Sequence, residues 1–208
     1  MNSDDGVQVD DIFRQLDEKK SKKKKVNSKK KGSRGELKAC KILSEHFGMQ
    51  FNKTPDSGAF GTAHKLDQQA LETLTGDVIC PDGFLFTLEN KTGYDVDLIN
   101  FFCSEYTTKK KSSDKNLVNT FIDQSVRDAV RANLIPAVMY TKDYRPTILI
   151  LPLENFSGEK YLNEKLSKFH HYLVYDYKPK HSDEWTKWVF VALEEALHVL
   201  EKDFFFIT

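Results

Sequence analysis

One stretch of this chain restricts its fold more than any other: residues 75–92, reading TGDVICPDGFLFTLENKT. Two apolar runs of β type, residues 78–80 and 84–88, flank Pro81-Asp82-Gly83. That tripeptide is a strong turn signal, because proline presets φ and glycine tolerates the left-handed region. If the runs pair as a hairpin, residues equidistant from Gly83 face one another, and Asp77 and Glu89 each lie six residues away from it. Side chains two apart on a strand share a face, so Lys91 joins Glu89. The pattern therefore predicts an Asp, a Glu and a Lys converging at one end of a largely hydrophobic hairpin.

Such a cluster has a chemical cost. Two carboxylates in a partly buried site repel each other, and stripping water from each costs several kcal/mol. A divalent cation such as Mg²⁺ removes the conflict, since it prefers oxygen ligands and is commonly held by one or two carboxylates. The ammonium of Lys91 would then orient an attacking water or steady the phosphate under attack. The plainer alternative is a surface ion pair of Glu89 with Lys91, and an Asp that merely ends a turn. Glu89 and Lys91 follow Phe84-Leu85-Phe86-Thr87-Leu88, a strand expected to be interior, which favours the functional alternative.

At 208 residues, with 39% hydrophobic and 12% aromatic residues, the chain is long and apolar enough for one ordinary core. Its formal net charge of +0 hides an asymmetry. Residues 19–34 carry nine Lys and one Arg with no acid, whereas residues 1–18 carry six acids and one Arg. A neutral total therefore does not exclude a polyanionic partner. Three widely spaced cysteines, Cys40, Cys80 and Cys103, form no CxxC pair, which argues against a disulfide scaffold or a zinc site. No signal-like segment and no run of eighteen apolar residues is visible, so a soluble, cytoplasmic protein without membrane contact is expected.

Residues 1–32 read as a flexible charged arm, whose lysines are either a solvated tail or a sequence-independent grip on phosphates. In a eukaryotic setting they would suit nuclear targeting. Ser33 suits an N-cap, with Glu36 completing a Ser-x-x-Glu capping box before a helix to about Phe47 with Leu37, Cys40, Leu43 and Phe47 facing inward. Capping is the reading of Glu36 that the residues alone favour; Gly32, Ser33, Arg34 and Gly35 also suit a phosphate-contacting helix start. A strand is expected at 49–53, then a small-residue loop containing Ser57 and Gly58, and after the hairpin a basic loop with Lys109, Lys110 and Lys111.

Residues 118–133 predict a helix whose stripe is Phe121, Ile122, Val126, Ala129 and Val130, with Gln124, Arg127 and Arg131 off its centre. Strands are expected at 135–140 and 147–151, a short helix at 159–169, and an apolar run at 172–175. The spacing of Trp185, Trp188, Val189, Ala192, Leu193, Ala196, Leu197 and Leu200 predicts one amphipathic helix. With the tail Phe204-Phe205-Phe206-Ile207 it is a candidate dimer surface.

The order of Glu36 on a helix, Asp77, Glu89-x-Lys91 and Gln124 on a following helix resembles the PD-(D/E)xK nuclease superfamily. Within it the likeness is to archaeal-type Holliday junction resolvases and their phage relatives, through Lys31-Gly32-Ser33-Arg34-Gly35-Glu36 and Ser57-Gly58. The resemblance covers residues 31–151, and Gly76 stands where the motif has proline. It implies an α/β fold with a restriction-endonuclease-like mixed sheet flanked by helices. Residues 33–151 would be the nuclease core, and residues 152–208 a helical extension packing on it or forming a dimer surface.

It further implies that Asp77, Glu89, Glu36 and the Asn90 carbonyl hold Mg²⁺ or Mn²⁺, that Lys91 places the water, and that Gln124 supports the site. Lys29, Lys30, Lys31, Ser33, Arg34, Ser57, Lys109, Lys110, Lys111, Arg127 and Arg131 would contact DNA. The implied activity is endonucleolytic cleavage of branched DNA by a homodimer. Cleavage of ordinary duplex, as in restriction or phage host-DNA degradation, and an idle DNA-binding module are the alternatives.

Overall fold

Helix α1 (Ser28–Phe47) owes its position to a stripe at helical spacing: Glu36, Ala39, Cys40 and Leu43 are all buried. In this computed structural model the described residues are 28–55, 74–97, 101, 113–142, 145–156, 162–180 and 182–207. The helix starts before Ser33, because lysine is a good helix former and the basic run continues the helix N-terminally. Ser33 is thus not an N-cap, the expected capping box does not form, and residues 28–32 belong to the helix rather than to an arm. Leu37, expected inward, lies on the solvent side at 56% exposure.

The hairpin also resolves differently. The turn is present, with Phe84 N–H donating to the Pro81 carbonyl at 3.2 Å. However, β2 (Val78–Ile79) pairs antiparallel with β1 (Asn52–Lys53), while β3 (Phe86–Thr92) lies in a separate sheet. One backbone bond ties the two together near the site, from Asp77 N–H to the Leu88 carbonyl at 2.9 Å.

β3 is an edge of a five-stranded sheet of order β3-β4-β5-β7-β6. It runs parallel to β4 (Ile135–Thr141), with Glu89 opposite Val138 and Lys91 opposite Tyr140. A parallel neighbour requires a crossover, and helix α2 (Ser113–Ala132) supplies it. Asn133, at φ 56°, then turns the chain into β4, with Leu134 N–H donating to the Ala129 carbonyl at 3.0 Å. β5 (Ile148–Pro152), β7 (Thr186–Ala192) and β6 (Tyr172–Tyr177) complete the sheet antiparallel. The mixed sheet flanked by helices is the restriction-endonuclease-like α/β architecture.

Strand alternation builds two cores. Phe86, Leu88, Ala137, Met139, Leu149, Leu151, Val189 and Val191 pack under α1. Val138, Tyr140, Ile150, Trp188 and Phe190 pack under α2, against Val118, Phe121 and Ile122. Val130, expected in the α2 stripe, is exposed.

The C-terminal quarter departs most from expectation. Residues 186–192 are a strand, and helix α4 begins only at Leu193 (Leu193–Val199). The apolar spacing fits a helix, but Trp188-Val189-Phe190-Val191 is a β-branched and aromatic run buried on both faces, as an inner strand requires. Trp185, expected on the apolar face, is 72% exposed.

Within this quarter, two short helices, α3 (Leu162–Ser167) and α5 (Lys202–Phe205), flank β6, β7 and α4 in sequence. Of the tail expected to be a dimer surface, Phe204, Phe205 and Phe206 are buried within the chain, and Ile207 is exposed. Leu85 N–H donates to the Phe205 carbonyl at 2.9 Å and Ile207 N–H to the Gly83 carbonyl at 2.8 Å. Phe206 lies 5.2 Å from both Phe47 and Phe84, ring centre to ring centre. The tail thereby braces the turn that leads into β3. Among the described residues no helix is long and apolar enough to cross a membrane.

Candidate active site

The C-terminal half of β3 carries the chemistry because of its position. Residues 86–90 of this edge strand are buried, and its outer side is covered by the segment around Asp77. Alternation sends Phe86 and Leu88 into the α1 core, and Glu89 and Lys91 toward α2. Asp77 is clamped from both sides. Its carbonyl accepts Thr54 N–H at 3.1 Å, and its carboxylate oxygen Oδ2 accepts Asn90 N–H at 2.9 Å.

Gly76 makes this placement possible. It has φ +87°, and a Cβ there would lie 2.7 Å from the Leu88 carbonyl oxygen. Proline, with φ held near about −65°, cannot adopt this backbone, which explains the departure from the motif.

Glu89 is 1% exposed. Its Oε1 accepts from Gln124 Nε2 at 2.7 Å and from Lys91 Nζ, while Lys91 Nζ also donates to Gln124 Oε1 at 2.9 Å. Lys91 lies 5.7 Å from the centre of the Phe121 ring, which helps fix the ammonium. Glu36 reaches the same cleft from α1. Gly35 allows that approach, since a Cβ at this position would sit 2.0 Å from Thr92 Oγ1. The cleft enclosed by Glu36, Asp77, Glu89, Asn90, Lys91 and Gln124, with Tyr94 at its side, measures about 390 Å³.

The electrostatics follow from burial. Desolvation pushes the Asp77 carboxyl up; the Asn90 N–H and Lys91 oppose this, and the charge of Glu36 adds to it. Glu89 is pushed up to about 8, first by burial and then by the charge of Asp77, against the pull of Lys91. Two adjoining carboxyls thus resist joint ionisation.

Glu89 Oε1 is occupied by two donors, yet Oε2 is buried without a hydrogen-bond partner. Buried polar atoms are rarely left so. An unpartnered carboxylate oxygen beside Asp77 fits a hard divalent cation, which would satisfy it and relieve the repulsion. Among the described residues no three metal-ligating side chains converge as they stand. Glu36 Oε2 is likewise buried without a hydrogen-bond partner, but it forms an ion pair with Lys53, whose Nζ is 2.8 Å away.

Of the residues expected at the site, Glu36, Asp77, Glu89, Asn90, Lys91 and Gln124 come together around one cleft. Those expected on DNA are described only in part. Lys29, Lys30 and Lys31 lie on the first turns of α1, Arg34 is exposed on it, and Ser33 accepts a hydrogen bond from Lys53 at 3.0 Å. Arg127 Nε pairs with Asp128 at 3.3 Å, and an Arg131 guanidinium nitrogen lies 3.9 Å from the same oxygen. Ser57, Lys109, Lys110 and Lys111 lie outside the described residues. Asp95, on the loop after β3, faces Lys142 at 2.5 Å and not the carboxylate pair. Lys53 is the residue that sequence reasoning missed. Nothing marks it locally, because its partners Ser33 and Glu36 are far away in the chain.

Residues 27–206 match the model of the family described as "Phage putative PDDEXK endonuclease". The match includes β6, β7 and most of the C-terminal tail. The chain is similar to "Protein D14" of Escherichia phage T5, 27% identical over 153 residues, which cover 70% of this chain and 81% of that protein. No solved structure matches.

Proposed function

Since the chain belongs to this phage PDDEXK endonuclease family, we propose that it is a divalent-metal-dependent endodeoxyribonuclease hydrolysing phosphodiester bonds at the cleft between α1 and β3. The observation that carries the reading is the buried, unpartnered Oε2 of Glu89 beside Asp77. Mg²⁺ or Mn²⁺ bound to Asp77, Glu89 and the Asn90 carbonyl would supply charge neutralisation at the phosphate and an acidified water. The chain's own groups do the positioning. Gln124 occupies Glu89 Oε1 and holds the Lys91 ammonium at the cleft, where it steadies the water or the phosphate oxygens. Glu36 would be a further acidic ligand of that ion, direct or through water.

DNA backbone contacts fall to Lys29, Lys30, Lys31, Ser33 and Arg34 on α1, to Arg127 and Arg131 on α2, and to Ser57, Lys109, Lys110 and Lys111. Such contacts give affinity and register without base specificity. Within the nuclease class, the resolvase-like Lys31-Gly32-Ser33-Arg34-Gly35-Glu36 and Ser57-Gly58 favour branched DNA, and a homodimer follows if two strands of a junction are to be cut. Ordinary duplex is the competing substrate.

Glu89→Ala and Lys91→Ala should each abolish Mg²⁺-dependent cleavage while DNA binding persists. Cleavage retained in both variants would overturn the assignment, and a wild-type protein that binds DNA but cuts none in Mg²⁺ or Mn²⁺ would make it an idle module. Rates on a four-way junction, linear duplex, single-stranded DNA and RNA then separate the substrates.

A further inference from the structure

Two ammonium groups pair with carboxylates of the cleft: Lys91 lines it, and Lys53 stands outside its lining against Glu36. Lys91 serves Glu89, and Lys53 serves Glu36 at 2.8 Å with Ser33 Oγ as a second anchor at 3.0 Å. Lys53 is rigidly placed. It sits on β1 opposite Val78, the residue after Asp77, and the next residue's N–H donates to the Asp77 carbonyl. The Lys53 and Glu36 side chains are 27% and 9% exposed, so the pair is poorly screened. One further charge acts on Glu89, that of Asp128, and Arg127 already balances it at 3.3 Å.

Charge accounting then decides how many cations the site accommodates. With all three carboxyls ionised, as a bound cation requires, Glu36, Asp77 and Glu89 against Lys53 and Lys91 leave a single uncompensated negative charge. One divalent ion turns this to a single positive charge, which one phosphodiester cancels. A second divalent ion would leave two positive charges uncompensated among largely buried groups, a costly arrangement. Among the described residues Glu36 is the carboxylate of the cleft outside the Asp77–Glu89 pair, and it already has a cation in Lys53.

We infer that Lys53 takes the place of a second metal: it neutralises and positions Glu36, so that the cleft binds one divalent ion, held by Asp77 and Glu89. This rests on the metal-dependent reading above. Lys53 is on this view a positioning residue, acting through Glu36.

The test counts Mn²⁺ bound to the full-length protein without DNA, by calorimetry and by the electron-paramagnetic signal of the free ion. Wild type should bind one ion per chain. Lys53→Met, which keeps the stem and removes the charge, should bind two, and Lys53→Arg should return to one. Glu36→Gln, which does not depend on how Lys53→Met folds, should still bind one ion, with affinity lowered less than about tenfold, the lower bound typical of losing a supporting ligand contact. Two ions in wild type, one in folded Lys53→Met, or a larger loss in Glu36→Gln would overturn the inference and leave the nuclease reading standing. No binding by wild type would overturn the metal-dependent reading, and this inference with it.

Discussion

Raising the pH should destabilise the metal-free protein, and Glu89→Gln should remove most of that slope. Glu89 is 1% exposed, and its carboxyl is pushed up to about 8, while in the unfolded chain it titrates near the ordinary value of 4.5. Between those two values the folded state holds a proton that the unfolded state has released. The stability associated with that proton is complete below the unfolded value and is lost as pH rises through the folded one. A single group changes stability by at most about 1.4 kcal/mol per pH unit. From pH 5.5 to 7.5 the loss is therefore on the order of 2 to 3 kcal/mol. Asp77 is shifted in the same direction, first by burial and then by the charge of Glu36, and because it adjoins Glu89 the pair is counted as one proton and not two.

For a chain of this size that corresponds to a drop of roughly 4–12 °C in Tm. The assay is thermal melting in a chelator at the two pH values, for wild type and Glu89→Gln. Groups common to both proteins cancel in the comparison of slopes. Mg²⁺ added at pH 7.5 should restore the wild-type Tm, by about 2.7 kcal/mol at a hundred times its Kd, and should leave the variant nearly unmoved. Parallel slopes for the two proteins would refute the argument that Glu89 is buried against Asp77.

Two further substitutions probe how the site is held in place. Gly35→Ala adds a methyl 2.0 Å from Thr92 Oγ1. Overpacking of about 1–3 kcal/mol should outweigh the helix-propensity gain of up to about 1 kcal/mol, lowering the urea midpoint and moving Glu36 off the cleft. A higher midpoint would mean that α1 does not approach β3 this closely. Phe205→Ala empties a buried position packed 5.2 Å from the Phe47 ring and should cost about 3–5 kcal/mol in urea unfolding, whereas a cost below about 1 kcal/mol would show an undocked tail.

How far the residues alone could carry the reading depended on how far apart the interacting groups lie. Asp77, Glu89 and Lys91 could be related through a single turn, because strand alternation and a Pro-Asp-Gly signal act over a dozen residues. Even so, the turn does not dictate the pairing partner: β2 joins β1, and Asp77 reaches β3 by one backbone bond and its carboxylate. The sequence of 185–192 reads as helix because apolar residues at helical spacing and a doubly buried strand look alike when the neighbours are unknown. Those neighbours, β5 and β6, supply the ladder on both sides.

The sequence by itself determined the chemistry available. It contains an acidic pair with an ammonium two residues along, a helix bearing an acid before it, a helix bearing Gln124 after it, and enough alternating apolar residues for a mixed sheet. Only the tertiary structure decided which lysine neutralises which carboxylate, which oxygen of Glu89 is left without a partner, and that the C-terminal phenylalanines brace the turn before β3. The reason is physical. Periodicity and turn propensity are local properties of the chain, whereas the burial of a charge and the identity of its counter-charge depend on which distant segments the core brings together.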